Sequence, residues 1–220
     1  MALVTRLDAA RVTDNAARVR EQIAAAARRA DREPAGVELL TAVKYVGVED
    51  IGVLATAGLT LLGENRAQDL AAKVAAWPDP ALRWHFIGRL QSRKVRQILP
   101  LVELTHSVAS DSALAQLERH GTPETEVLVE VDVAGEEGKA GIAPAALGDF
   151  LARTPVRVVG LMTMPPFTAD PEASRPHFAA LRELATQHGL RHLSMGTSQD
   201  YAVAVEEGAT IVRIGSILFD

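Results

Sequence analysis

The 220-residue sequence contains no cysteine. Disulfide bonds, thiolate metal sites and thiol nucleophiles are therefore all excluded. The six histidines form no His-x-Glu arrangement of the kind that binds metals, so no metal site is expected. Among them only His85 is kept as a candidate site residue, because it stands near the end of a predicted strand.

No stretch of the chain approaches the roughly 18 apolar residues needed to span a bilayer. The segment 1–14 also lacks the basic and apolar regions of a signal peptide, so a soluble, cytoplasmic protein without a membrane partner is expected. Charges of both signs are interspersed, with 23 Lys plus Arg, 28 Asp plus Glu and a net charge of -5. No basic stripe typical of nucleic-acid binders is visible, so no nucleic-acid partner is expected.

What the sequence does have is a regular alternation of short β-type runs and helical segments. An Ala/Arg-rich segment, 8–30, carries apolar residues at helical spacing and predicts a leading helix. Eight strands are predicted after it: 37–43, 59–63, 83–88, 101–107, 126–133, 156–162, 192–195 and 210–214. Seven helices are predicted between them: 48–57, 66–76, 90–98, 111–120, 144–153, 171–188 and 198–207.

This alternation, with continuous apolar strands, is typical of a parallel sheet covered by helices. Eight such units predict an α/β fold in one domain spanning 1–220: a single (β/α)8 TIM-type barrel with an extra N-terminal helix in the eighth outer position. A doubly wound open sheet is the alternative. Against it, the first strand lacks the G-x-G-x-x-G turn of a dinucleotide fold.

In such a barrel the reactive groups come from the C-terminal ends of the strands. Lys44 follows the apolar run 37–43, so a buried strand is expected to deliver an ammonium group there. A buried ammonium group without a partner has a depressed pKa and becomes a nucleophile for carbonyl compounds. A solvated loop lysine is the alternative. Other polar residues expected at strand ends are Glu64, Asn65, His85, Ser107, Asp132 and Arg213.

The loops after the seventh and eighth predicted strands, 194–198 and 213–216, combine glycines, hydroxyls and the start of a helix. Backbone N–H groups and the positive end of a helix bind anions, and barrels frequently hold phosphate at this position. Helix capping by Thr197 or Ser198 is the alternative explanation. Capping leaves the neighbouring pair Gly215 and Ser216 unexplained, so a phosphate site is favoured.

A lysine nucleophile and a phosphate site at one barrel mouth suggest a phosphorylated aldehyde, and pyridoxal 5′-phosphate (PLP) fits that description. Its aldehyde would form a Schiff base with Lys44, and Arg213 could face the pyridine nitrogen. Because an arginine is effectively always protonated, it would keep that nitrogen unprotonated. The cofactor would then be a weaker electron sink than one that faces a carboxylate.

Seven motifs occur in order along nearly the whole chain: Ala42-Val-Lys44, Gly63-Glu-Asn65, Trp84-His-Phe-Ile-Gly88 with Leu90-Gln91 and Lys94, Gly138-Lys-Ala-Gly141, Gly160-Leu-Met162, Ser194-Met-Gly196 with Ser198 and Asp200, and Val212-Arg-Ile-Gly215. Together they resemble the pyridoxal phosphate homeostasis protein family, whose single barrel is similar to the N-terminal domain of alanine racemase. The resemblance therefore implies a fold-type III PLP-binding barrel.

The resemblance also implies that Lys44 carries the cofactor as an internal aldimine, with Asn65 beside the ring and Arg213 near the pyridine nitrogen. Lys139 matches the motif of a second lysine that can take part in PLP exchange. The predicted cofactor-binding set is Lys44, Asn65, His85, Ser194, Gly196, Thr197, Ser198, Arg213, Gly215 and Ser216.

Some positions depart from the family pattern. Ser216 keeps the hydroxyl of a frequent threonine and should preserve the phosphate contact. Asp132 would add negative charge near the site if it pointed into the barrel, and it could then pair with Lys139 or Lys44. The departures are Thr197 for methionine, Ser216 for threonine, Asp132 for asparagine, and Arg89 and Arg93 for His and Asn.

Three functions fit these residues. The first, favoured by the resemblance, is a monomeric carrier that binds PLP, buffers its free level and hands it to apo-enzymes without robust turnover. The second is a PLP-dependent amino-acid racemase, which needs an acid or base on each face of the substrate. Lys44 would be one base and Tyr45 or Tyr201 the other, although Tyr45 should point away from Lys44 in an extended strand. The third is a cofactor-free Schiff-base aldolase or sugar-phosphate isomerase.

Overall fold

In the computed structural model, which describes residues 6–136 and 138–220, eight parallel strands close into a barrel in chain order. The first and last strands pair to complete the ring, with Leu40 opposite Arg213. The strands are β1 (Glu38–Ala42), β2 (Leu61–Glu64), β3 (Arg83–Phe86), β4 (Leu104–Val108), β5 (Glu126–Glu130), β6 (Arg157–Met162), β7 (His192–Thr197) and β8 (Ile211–Ile214).

Helices cover the outside of the barrel, as the alternation predicts. The helices are α1 (Ala9–Arg29), α2 (Ile51–Thr56), α3 (Ala67–Ala76), α4 (Val95–Ile98), α5 (Asp111–His120), α6 (Leu147–Arg153), α7 (Arg175–Gln187) and α8 (Tyr201–Glu206). None of those helices is long and apolar enough to cross a membrane.

The leading helix α1 takes the eighth outer position, against α8. Asp8 caps it by accepting a hydrogen bond from the Arg11 N–H at 3.0 Å. Asn15, buried on this helix, donates to the Leu218 and Asp220 carbonyls at 3.3 and 3.0 Å, which fastens the C-terminal residues to α1. The apolar stripe that faces the barrel consists of Val12, Ala16, Val19, Ile23, Ala26 and Ala27.

The interior of the barrel holds its own small apolar cluster, separate from the larger core between strands and helices. Charged side chains at the N-terminal ends of the strands lie below it, where Arg83 pairs with Glu38 at 2.6 Å and with Glu103 at 2.8 Å. The interior cluster comprises Leu40, Leu61, Leu104, Leu128, Met162 and Ile211. The opposite end, at the strand C-termini, is therefore where an opening can form.

Candidate functional site

A cavity of about 640 Å³ lies at the C-terminal ends of the strands. The structure brings seven of the predicted site residues to its walls: Lys44, Asn65, Thr197, Ser198, Arg213, Gly215 and Ser216. The remaining walls are largely apolar, and Phe167 on the loop after β6 is 80% exposed. The apolar residues there are Ile87, Met164, Pro165, Pro166, Phe167, Ile217 and Phe219. A largely apolar cavity with a few converging polar groups is the usual form of a small-molecule site.

Lys44 does not arrive at this cavity as the end of a buried strand. β1 stops at Ala42, and the chain turns there, with the Val46 N–H donating to the Val43 carbonyl at 3.0 Å. Lys44 is exposed as a result, and its Nζ lies 5.1 Å from the centre of the Tyr45 ring. Two expectations are thus wrong: the ammonium group is not buried, and Tyr45 does not point away from it.

Arg213 lies at the base of the cavity and is 5% exposed. Its Nη1 donates to the Ser194 carbonyl at 2.7 Å and to the Ser194 hydroxyl at 2.5 Å, and its Nη2 donates to the Thr163 carbonyl at 2.9 Å. Burial lowers the pKa of Arg213 to about 10, although the charges of Glu130 and Asp200 oppose that shift. The guanidinium group is still cationic at neutral pH.

Beneath Arg213, two histidines continue the hydrogen bonding into the barrel. His106 Nδ1 lies 2.9 Å from the Ser194 hydroxyl, and His106 Nε2 lies 3.0 Å from His85 Nδ1. Burial lowers the pKa of His85 to about 3 and holds the pKa of His106 well below its usual range, so both rings are neutral.

Three residues predicted to contact the cofactor therefore lie behind the cavity wall. His85 and Ser194 are buried and bonded to His106, Ser194 also accepts from Arg213, and neither residue lines the cavity. Gly196 has a φ of 89°, and a Cβ atom there would lie 2.6 Å from Ala204 Cβ. This glycine permits the close approach of α8 to β7.

The two loops predicted to hold phosphate are joined to each other. The Gly215 N–H donates to the Ser198 hydroxyl at 3.2 Å, and the Thr197 N–H donates to Asp200 at 2.7 Å. Helix α8 begins only at Tyr201, with Asp200 as the residue before it, so neither Thr197 nor Ser198 caps that helix. The alternative explanation by capping is wrong.

Other predicted residues lie away from the cavity walls. Lys139 pairs with Glu136 in the loop after β5. Asp132 accepts a hydrogen bond from the Gly135 N–H at 3.0 Å in that same loop, and among the described residues the pairing with Lys139 or Lys44 that would follow if it pointed into the barrel does not form. The Tyr201 hydroxyl donates to Gln22 of α1, where burial raises the pKa of the phenol, so Tyr201 faces the helix layer.

Sequence reasoning missed two buried residues behind the site, His106 and Lys73. His106 lies within an apolar strand and belongs to no local motif. Lys73 of α3 reads in the sequence as an ordinary helix lysine, yet it is bonded to Glu64 and to the Val43 carbonyl. No local signal identifies either one, because each is placed by a neighbouring element of the barrel.

The residues present fit a phosphorylated pyridine aldehyde. The cavity holds one exposed primary amine, one buried cation, two serine hydroxyls and apolar walls. In addition, Asn65 Oδ1 is buried and accepts no hydrogen bond from the described residues, an arrangement that a bound ligand can complete. Within 6–136 and 138–220, no group of three or more His, Asp or Glu residues is arranged to hold a metal ion.

No family model matches the chain. Related proteins, however, match it over most of its length. A relative from Aquifex aeolicus is 43% identical over 215 residues, which cover 92% of this chain and 94% of that protein. A relative from Pseudomonas aeruginosa is 40% identical over 217 residues, which cover 94% of each. Both are named pyridoxal phosphate homeostasis protein. This chain belongs to the pyridoxal phosphate homeostasis protein family.

Solved structures agree with that family and with the predicted barrel. PipY from Synechococcus elongatus, solved with PLP bound, is 31% identical with a TM-score of 0.80, and the match covers 95% of this chain and 100% of PipY. An unknown protein from Bifidobacterium adolescentis matches over 99% of both chains with a TM-score of 0.88 and 31% identity. Alanine racemase from Corynebacterium glutamicum shares the fold, with a TM-score of 0.71 at 14% identity over 99% of this chain and 62% of the racemase. The prediction of a single (β/α)8 barrel with an extra N-terminal helix is confirmed.

Proposed function

We propose that this member of the pyridoxal phosphate homeostasis protein family holds PLP at the barrel mouth as a Schiff base on Lys44, stores it and passes it to apo-enzymes. The observation that carries the proposal is the meeting of an exposed amine and a buried cation in one cavity. Lys44 follows β1, and Arg213 lies on β8, the strand that pairs with β1. PLP bound to PipY, a relative that matches most of this chain, supports the same ligand.

Each wall of the cavity has a part in the proposed complex. Lys44 would supply the amine, and Arg213 would face the pyridine nitrogen and, being cationic, would keep it unprotonated. Asn65 lies beside the ring, where its free Oδ1 can accept a hydrogen bond. The phosphate would be held by the loops after β7 and β8, with Thr197, Ser198, Gly215 and Ser216. When bound, PLP supplies an aldehyde that condenses with a primary amine and releases water.

The buried residues behind the cavity wall hold in place the residues that would face the ligand. Ser194 and the Thr163 carbonyl fix the guanidinium of Arg213, and His106 with His85 fixes Ser194. Gly196 lets the loop after β7 pack close to α8. Lys139, which matches the motif of a second lysine and pairs with Glu136, is proposed to take part in PLP exchange.

A carrier fits the cavity better than an enzyme does. Racemisation needs an acid or base on each face of the substrate. The titratable groups on the cavity walls are Lys44, Tyr45, Asp200 and Arg213, of which Lys44 and Tyr45 lie together. Asp200 is already hydrogen-bonded to Thr197 and Ser174.

We propose further that the whole chain acts as one PLP-binding domain, as a monomer in the cytoplasm.

Absorption spectroscopy and peptide mapping test the proposal. The purified protein with PLP should absorb in the visible range, and borohydride should fix the label on the peptide that carries Lys44. The sequence has four lysines, Lys44, Lys73, Lys94 and Lys139, so the map distinguishes them. Lys44→Ala should abolish the fixed label, while Arg96→Ala, a change of an exposed cation, should leave it intact. A label that survives Lys44→Ala would overturn the assignment of Lys44.

A further inference from the structure

A buried ion pair connects α3 with the end of β2, directly behind the cavity wall. Lys73 Nζ lies 2.5 Å from Glu64 Oε2, and the two side chains are 4% and 0% exposed. Taking two charges out of water is costly, so a buried ion pair is weak evidence for a purely stabilising role. The other hydrogen bonds of the ion pair show which backbone groups it holds in place.

Among the described residues, the further hydrogen bonds of this pair go to the backbone at or beside Lys44 and Asn65. Lys73 Nζ donates to the Val43 carbonyl at 2.7 Å, one residue before Lys44. Glu64 Oε1 accepts from the Asn65 N–H at 2.6 Å and from the Arg66 N–H at 3.2 Å. The pair thus connects the backbone next to Lys44 with the backbone of Asn65.

The ion pair lies just beyond the point where main-chain hydrogen bonding between β1 and β2 ends. Residue pairing between β1 and β2 ends at Ala42 and Gly63, followed by one more bond from the Val43 N–H to the Gly63 carbonyl at 2.9 Å. Beyond that bond, no main-chain hydrogen bond joins the two segments among the described residues. There the side chains of Glu64 and Lys73 connect the two segments instead, since Lys73 bonds both to Glu64 of β2 and to the Val43 carbonyl after β1.

Asn65 is also confined from the opposite side. A Cβ atom at Gly88 would lie 2.1 Å from the Asn65 carbonyl oxygen, so the two backbones are in direct contact. With Glu64 on one side and Gly88 on the other, the backbone of Asn65 has little freedom. Residues held in this way position the side chains next to them.

We propose that Glu64 and Lys73 are positioning residues that set the distance and orientation between Lys44 and Asn65, and thereby the rates at which the site captures and releases PLP. This inference rests on the proposed function. It assigns no direct ligand contact to either side chain. The effect on PLP passes through the Val43 carbonyl and the Asn65 N–H.

Two variants and one control test the inference. Lys73→Met removes the ammonium group, and the double variant Glu64→Gln/Lys73→Met leaves no charge unpaired while keeping an oxygen that can accept from Asn65. Arg96→Met is the control, because it removes one exposed cation from a neighbouring helix. The measurements are amide hydrogen exchange at Lys44 and Asn65 without PLP, the melting temperature, and the rates of PLP capture and release by absorption.

In both variants we expect faster exchange at Asn65 and PLP release accelerated about tenfold or more, with the label still on Lys44. The control should match the wild type. If Lys73→Met fails to fold, the double variant decides, since no buried charge then opposes folding. Wild-type exchange together with wild-type PLP rates in the double variant would overturn the inference. If the wild type itself forms no adduct on Lys44, the proposed function fails, whereas the exchange rates still decide whether the pair positions Lys44 and Asn65.

Discussion

At the scale of single residues, the direction of the hydrogen bonds beneath the cavity can be worked out. An arginine can only donate hydrogen bonds, so the Nη1–H of Arg213 donates to the Ser194 hydroxyl oxygen. That hydroxyl then donates to His106 Nδ1, and His106 Nε2–H donates to His85 Nδ1. In this series of hydrogen bonds, each buried polar group has a partner only when both histidines are neutral. This agrees with the lowered pKa values of His85 and His106.

Replacing His106 by leucine should loosen Arg213. The Ser194 hydroxyl loses its acceptor, which costs about 1–3 kcal/mol for a buried polar group. Urea unfolding should show that loss, and the absorption maximum of bound PLP should shift, because Arg213 no longer has one fixed orientation. His188→Leu, on an exposed histidine, is the control. A stable His106→Leu protein with an unchanged spectrum would contradict this role for His106.

The buried His85 should also make stability depend on pH. Its pKa is about 3 in the folded protein, against 6.5 in the unfolded chain. Between these values the unfolded state binds more protons, so stability falls as the pH falls, by about 1.4 kcal/mol per pH unit. Free energies of unfolding measured between about pH 7 and pH 5 should decline less steeply for His85→Gln. Equal slopes for the two proteins would refute the prediction.

At the scale of elements, the strand ends near the cavity depend on close backbone contacts. Gly88→Ala would place a Cβ atom 2.1 Å from the Asn65 carbonyl, and backbone atoms cannot yield as a flexible side chain can. We expect destabilisation of about 1–3 kcal/mol and weaker PLP binding, since Asn65 must shift. Gly36→Ala should be within about 0.5 kcal/mol of the wild type, because nothing lies within 4 Å of its Cβ position. Melting and PLP titration of both variants provide the comparison.

Periodicity predicted the elements themselves, because alternating apolar and helical segments reflect which faces are buried. The sequence could not predict the directions of side chains at strand ends. Tyr45 would alternate away from Lys44 only if β1 continued, but the strand stops at Ala42 and the chain turns. Ser194 carries a hydroxyl typical of a phosphate loop, yet in β7 it faces Arg213 inside the barrel.

At the scale of the whole molecule, the proposed carrier and a racemase differ in the acid and base groups that they need on the cavity walls. The described residues on those walls include no pair of free acid and base groups on opposite sides. Single-enantiomer alanine incubated in deuterated water with the PLP-loaded protein should therefore gain deuterium at Cα no faster than with free PLP. Mass spectrometry of the recovered amino acid measures the exchange. Exchange well above that of free PLP would overturn the carrier assignment and favour a racemase.

The closure of the barrel between β1 and β8 also determines when the site can exist during synthesis. Lys44 follows the first strand to leave the ribosome, and Arg213 belongs to the last. A growing chain therefore exposes the amine long before the guanidinium group that lies near it in the finished barrel. Contacts between distant parts of a sequence form late and slowly. A ligand that needs both groups can be captured only by a completed polypeptide, so nascent chains neither compete for it nor fold around it.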